Sequence, residues 1–260
     1  MEKNSIVYFV VGKNTGVGVF FLGNFAAHAD SFQLSRDCKL PADQGQSLRA
    51  PIVQTIQLII DDTFNKDRKK DIAAAAATWN KIGQQIRHQD FFEIQYGQVP
   101  PSLALRYNFN CSETFGTPNS TYVVNVTSEK LWKEMGLDQN LDPDSVAPGV
   151  VHSCSNPLSF ELYQQVVEIN TNMTNPLQFK SVAIHELGHA LGLQHSCDSN
   201  PKTASANYIS CDKVSRGSAY QQAVMYPVLQ KKVPGSVFPE QKVDPNSNDI
   251  LRLECLYGPR

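Results

Sequence analysis

"HELGHALGLQH", residues 185–195, holds three of the six histidines in a chain of 260 residues, and its spacing decides how the surrounding chain folds. Residues four apart on an α-helix advance by about 400°, so His185 and His189 share one helix face, a single turn apart. Both can present a ring nitrogen to one ion. His195, six residues further on, would lie about 240° round and roughly 9 Å along the axis if the helix continued. The helix must therefore stop between them. Gly192 is the expected stop, because glycine enters the left-handed region at a helix C-terminus without a Cβ penalty. The chain can then turn back and bring His195 up as a third ligand.

Three neutral imidazoles with an open fourth position describe a catalytic zinc site, since structural zinc is normally closed by four protein ligands. Glu186 projects about 100° round the helix from His185, beside the ion without being forced to bind it. It is the expected general base for water activated by that zinc. The chemistry this predicts is attack on a peptide carbonyl, with Glu186 taking the water proton and passing it to the leaving nitrogen.

Outward from the motif, "NPLQFKSVAIHELGHALGL" begins its helix with Asn175 as N-cap and Pro176 at the first helical position. Upstream, "IVQTIQLIID" (52–61) alternates as a strand, and "DIAAAAATWNKIGQQI" (71–86) carries Ile72, Ala75, Trp79, Ile82 and Ile86 at helical spacing. Asp71 is its expected N-cap. The preceding "KDRKK" (66–70) reads as a solvated lead-in, and Trp79 as core packing. "FFEIQYG" (91–97), "TYVVNVT" (121–127) and "YQQVVEINTNM" (163–173) read as strands. "NSNDILRLECLYG" (246–258) reads as a closing helix stopped by Gly258 and Pro259.

The net charge of −2 gives no basis for a nucleic-acid partner. The first 29 residues have the order of a secretory signal: Lys3, the apolar runs "IVYFVV" and "VGVFFLGNFAA", then "AHA" before Asp30. Lys13 and Asn14 interrupt the apolar region, and neither run reaches the ~20 residues of a membrane span. The expected product is secreted, or periplasmic in a bacterium, and works as a monomer with no membrane partner. Cys38, Cys111, Cys154, Cys197, Cys211 and Cys255 all follow the proposed cut, an even set suited to disulfides. Cys197 with Cys211 is the expected pair, since the polar, turn-rich segment between them needs a clamp.

H-E-x-x-H-x-x-G-x-x-H resembles the signature of the metzincin metalloproteases, which also have a methionine turn beneath the zinc. "AVMYP" (223–227) supplies Met225, and "HELGHALGLQHS", "AVMYP" and "NDILRLECLYG" look like the matrixin subgroup, the matrix metalloproteinases and their bacterial relatives. The resemblance implies an α+β, zincin-like fold: a mixed twisted sheet packed on an N-terminal helix and an active-site helix, with a smaller loop-rich lower lobe ending in a C-terminal helix. It implies residues 1–29 as signal, 30–50 as an extension and 51–260 as catalytic domain, divided into lobes near 192. It implies zinc on His185, His189 and His195, Glu186 as base and Met225 as an apolar floor.

The substrate, a protein or peptide, is expected antiparallel to an edge strand placed near Val166, Val167, Glu168, Ile169 and Asn170. Tyr226 and Pro227 are expected to wall the pocket for the residue after the cleaved bond, with Tyr226 packing rather than donating to the transition state. The second, structural zinc of vertebrate matrixins is expected to be missing, because only His88 and His152 remain in the mature chain to bind it. One zinc per chain follows, and calcium is left open. "RDCKLPAD" (36–43) echoes the family's latency motif out of register, and Cys38 is expected in a disulfide. The competing reading is a peptide-binding module on the same fold without catalysis; an intact Glu186 argues against it.

Overall fold

A computed structural model describes residues 5–6, 54–99, 119–128, 148–156, 161–172, 174–197, 210–229 and 232–258, with a few single residues between. Apart from Ser5–Ile6, the expected signal and extension, Cys38 included, lie outside the described residues.

The elements are β1 (Ser5–Ile6), β2 (Ile56–Asp61), α1 (Lys66–Arg87), β3 (Phe92–Gly97), β4 (Ser120–Asn125), β5 (Gly149–Ser155), β6 (Leu162–Ile169), α2 (Phe179–Ala190), α3 (Ala219–Gln222) and α4 (Ser247–Tyr257). The strands form one sheet in the order β1-β5-β6-β4-β2-β3. β3, β2, β4 and β6 run parallel, while β5 is antiparallel to β6 and β1 antiparallel to β5. This is the mixed, α+β architecture expected.

Parallel strands covered on both faces are apolar on both faces, and successive residues here feed two cores. Leu58, Ile60, Val123, Val151, Val167 and Ile169 face α1 and α2, where Ile72, Ala75, Ala76, Trp79, Val182 and Leu187 complete the larger core. Tyr122, Val124, Val150, Val166 and Trp132 form a second cluster. The Cys111–Cys154 disulfide belongs to that second cluster. Trp79 is fully buried and its indole N–H donates to the Ile184 carbonyl at 2.9 Å, tying α1 to the helix of the motif. Replacing a side chain of this size by alanine removes about 3–5 kcal/mol.

Two expectations about element ends need correction. α1 starts at Lys66, not Asp71: Asn65 is the N-cap and accepts from the Arg68 amide at 2.9 Å, so "KDRKK" forms the first helical turns rather than a lead-in. β5 was not anticipated at all, because His152, Ser153 and Cys154 break the β-branched run that marks a strand. α4 is anchored as its sequence suggests, with a reciprocal capping box between Asn246 and Asp249.

Candidate metal centre and active site

The helix of the motif begins with a tight 3-10 turn, Pro176–Gln178, capped by the Asn175 side chain, and becomes α-helical over Phe179–Ala190. It ends where the histidine spacing requires, since Gly192 has φ +88°. The Leu193 amide then bonds back to the Gly188 carbonyl at 3.1 Å, and the chain reverses. This brings His195 to the other two: the ring centroids are 4.8 Å apart for His185–His189, 5.3 Å for His185–His195 and 4.8 Å for His189–His195. Candidate ligand atoms of all three lie within 4.8 Å of one another.

The hydrogen bonds fix which nitrogens face inward. His185 Nδ1 contacts the Val224 carbonyl at 2.7 Å and His189 Nδ1 the Leu193 carbonyl at 2.7 Å. A carbonyl only accepts, so each Nδ1 carries the proton and each neutral ring turns a bare Nε2 lone pair inward. Those two Nε2 atoms are 3.1 Å apart. Two lone pairs at that distance repel unless a cation sits between them. A tetrahedral zinc with bonds of 2.0–2.1 Å needs ligand atoms separated by roughly 3.3 Å, so the donor set fits that ion.

Burial keeps the imidazoles in the state a metal requires. Desolvation lowers His185 and His195 well below the ordinary histidine range, with neighbouring imidazoles adding to it. His189 is lowered to about 4, mainly by burial, with Arg252 contributing. Glu186 is fully buried and desolvation pushes its carboxyl well above the usual range. Neither carboxylate oxygen has a hydrogen-bond partner among the described residues. A carboxylate held dry and uncommitted is poised to take a proton.

Two glycines set the walls. Gly149, first residue of β5, lies against Glu186, and a Cβ there would come within 2.6 Å of Oε1 and 2.8 Å of Cδ. A Cβ on Gly188 would collide with Met225 Sδ and approach Trp79 at 3.1 Å. Gly188 therefore lets the methionine side chain pack directly on the metal-binding helix. Met225 is fully buried, and its carbonyl accepts from the Ser196 amide at 2.9 Å.

α4 holds this layer from below. Asp249 accepts from the amides of Val224 (2.9 Å) and Met225 (3.2 Å), which orients the Val224 carbonyl toward His185. Tyr257 donates its hydroxyl to the Leu191 carbonyl at 2.9 Å, and Arg252 donates to the Gln194 carbonyl at 2.8 Å. Sequence reasoning missed Gly149, Gly188, Asp249 and Arg252. Only Asp249 left a sequence signal, three residues after Asn246 at a helix start.

The expected substrate strand is corrected. Val166, Val167, Glu168 and Ile169 lie inside the sheet, paired with Tyr122–Asn125 of β4 on one side and with Gly149–His152 of β5 on the other. Their backbone groups are spent on the sheet, and Asn170 donates to the Pro148 carbonyl. Val166, Val167, Ile169 and Asn170 are buried, and buried Glu168 lies 3.6 Å from His152 Nε2. The antiparallel strand that reaches the site is β5, through Gly149. Tyr226 is half-buried, with Lys242 Nζ 4.2 Å above its ring, and Pro227 beside it is buried. His88 ends α1 in the left-handed region at φ 56°.

A family model described as Reprolysin_5, Metallo-peptidase family M12, matches residues 135–237, the stretch that contains all three histidines, Glu186 and Met225. Two solved structures are similar: High choriolytic enzyme 1, a hatching enzyme zinc-protease from Oryzias latipes (medaka fish), and myroilysin. The first is 16% identical with a TM-score of 0.39, covering 83% of this chain and 98% of that one. The second is 11% identical with a TM-score of 0.36, covering 82% and 97%. No curated protein matches the sequence. The Cys197–Cys211 pair is present as expected, and Cys255 is also disulfide-bonded. Among the described residues no helix is long and apolar enough to cross a membrane.

Proposed function

We propose that the chain is a secreted, zinc-dependent metalloendopeptidase of the metzincin type; the wording of "AVMYP" and "NDILRLECLYG", which resembles the matrixins, supports membership of that subgroup. The observation that carries the reading is the pair of inward Nε2 atoms 3.1 Å apart, with the next residue after His185 a buried carboxylate that has no hydrogen-bond partner among the described residues. His185, His189 and His195 would hold one zinc, which when bound acidifies water and polarises a carbonyl.

The chain's own groups do the rest. Val224 and Leu193 carbonyls keep His185 and His189 in the tautomer that offers Nε2. Glu186 accepts the proton of the attacking water at a carboxylate oxygen and delivers it to the leaving nitrogen. The raised proton affinity of this buried carboxyl suits both halves of the transfer. A peptide is proposed to lie antiparallel to the Gly149–Val151 end of β5, beyond its pairing with β1, where Gly149 abuts Glu186, with Tyr226 and Pro227 walling the pocket beyond the cleaved bond. The even cysteine set, the Cys111–Cys154 and Cys197–Cys211 disulfides and the signal-like first 29 residues support export.

The test is direct. The purified chain should hold about one zinc and cleave an unfolded protein, and Glu186→Gln should retain the zinc while losing at least about 100-fold in kcat. Proteolysis that survives this substitution removes the mechanism. Zinc uptake without any cleavage by the parent chain supports the binding-module reading instead.

A further inference from the structure

The turn that returns His195 to the site contains two consecutive carbonyls with opposite duties. Leu193 O points to His189 and accepts from its Nδ1 at 2.7 Å; Gln194 O points the other way and accepts from Arg252 Nη1 at 2.8 Å. The peptide that joins Gln194 to His195 is therefore held by a side chain from α4, 58 residues further along the chain.

Arg252 is 2% exposed. Burying a guanidinium is costly unless it is paired and hydrogen-bonded, so its retention there needs a reason beyond packing. Its surroundings supply one. Asp249, one helical turn earlier and fully buried, is within electrostatic reach of it, and so are His189 and His195. Other supports of the turn are neutral: Tyr257 on Leu191 O, the Gly188 carbonyl on Leu193 N, and Met225 O on Ser196 N. The contact on Gln194 is charge-assisted, a class roughly twice as strong as a neutral bond.

We infer that Arg252 is a positioning residue for the metal centre, fixing the Gln194–His195 peptide so that the third imidazole meets the other two. The inference rests on the reading of the three histidines as metal ligands. Without Arg252 the Gln194 carbonyl is free to rotate toward other donors. The neighbouring Leu193 carbonyl, which orients His189, moves with it.

Arg252→Met keeps much of the buried volume and removes every donor, whereas Arg252→Lys keeps the cation and a single donor in place of the fork. Both are made in the full chain. Zinc affinity is read by competition with a chromogenic chelator, coordination by the visible spectrum of the cobalt-substituted protein, and fold stability by urea denaturation. Arg252→Met should weaken zinc binding about 10- to 100-fold, the range typical of groups that orient a ligand, and should alter the cobalt bands. Arg252→Lys should lose less.

If Arg252→Met binds zinc within twofold of the parent and shows the parent's cobalt spectrum, Arg252 has no positioning role; where Arg252→Met does not fold, Arg252→Gln is read in its place by the same criterion. That holds even if the variant's urea midpoint falls. A parent chain that takes up no zinc overturns the metal reading itself, and this is seen before any variant is compared.

Discussion

Gly149→Ala changes a residue that is not itself an expected metal ligand, yet it should disable the active site. The added Cβ would lie 2.6 Å from Glu186 Oε1 and 2.8 Å from its Cγ and Cδ. Ordinary contact begins near 3.5 Å, so the carboxylate must retreat by about 0.8 Å or β5 must move. Glu186 is fully buried, so its carboxylate has no solvent to retreat into. A misplacement approaching 1 Å in a catalytic group costs on the order of 100-fold, or about 2.7 kcal/mol of barrier. Overpacking adds about 1–3 kcal/mol of lost stability. Gly149 has no positive φ, so alanine is allowed there by the backbone.

The assay is kcat on an unfolded protein substrate, with zinc content measured on the same preparation. Zinc should stay at the parent's level while kcat drops about 100-fold. Gly97→Ala is the control from the same sheet, since its Cβ would meet only Ile59 Cγ2 at 3.9 Å. A Gly149→Ala enzyme within threefold of the parent kcat means that the carboxylate position seen here is not the working one.

Asp249→Ala should cost about 3 kcal/mol in urea denaturation, because the amides of Val224, Met225 and Asn246 lose their acceptor at about 1–3 kcal/mol each while the desolvation cost of the carboxylate is relieved; a loss below about 1 kcal/mol argues against it. In metal-free protein, His189 titrates near 4 when folded against about 6.5 unfolded, so stability is full above pH 6.5 and is lost as pH falls toward 4, by up to about 3 kcal/mol from this residue alone. His185 and His195 act in the same direction, and Glu186, whose carboxyl is raised, acts in the opposite one. The metal-free urea midpoint at pH 5 should accordingly lie below that at pH 7, and a flat or rising midpoint contradicts the buried tripod. Replacing Cys197 and Cys211 by serine should remove roughly 3 kcal/mol, the entropy of closing a loop of this length, and should speed zinc loss from His195, read by chelator kinetics.

How much of this was legible in the sequence depends on whether a residue acts through local periodicity or through a contact made across the fold. His185, Glu186, His189 and Gly192 act within one helix and its end, and spacing alone placed them. Asn175 with Pro176, and the Cys197–Cys211 clamp, are also short-range devices. Strand existence was readable from β-branched runs, but strand order was not. The resemblance puts "YQQVVEI" at an edge, and its polar Gln164, Gln165 and Glu168 give no sign that the strand is interior, yet all three are buried and the strand is paired on both sides. Gly149–Ser155, the actual antiparallel neighbour of the site, hid behind His152, Ser153 and Cys154. Gly149 and Gly188 matter only because of what stands opposite them, which no single-sequence pattern encodes.

The same distinction explains how α4 serves a site built elsewhere. As an amphipathic helix it offers Leu253, Leu256 and Tyr257 to the core, yet Asp249 and Arg252 are buried too. Their charges look wrong for a core-facing stripe until their partners are named: the Met225 turn for one and the Gln194 carbonyl for the other. Two ligands, His185 and His189, are fixed by α2, which α1 holds through Trp79. The third is fixed by a turn that α4 holds. The tripod thus depends on two frames meeting in register, and only the second contains charged groups that a single substitution can unpair. Loss of Arg252 should therefore loosen His195 first and reach His189 through the Leu193 carbonyl, whereas loss of Asp249 should act on His185 through the Val224 carbonyl.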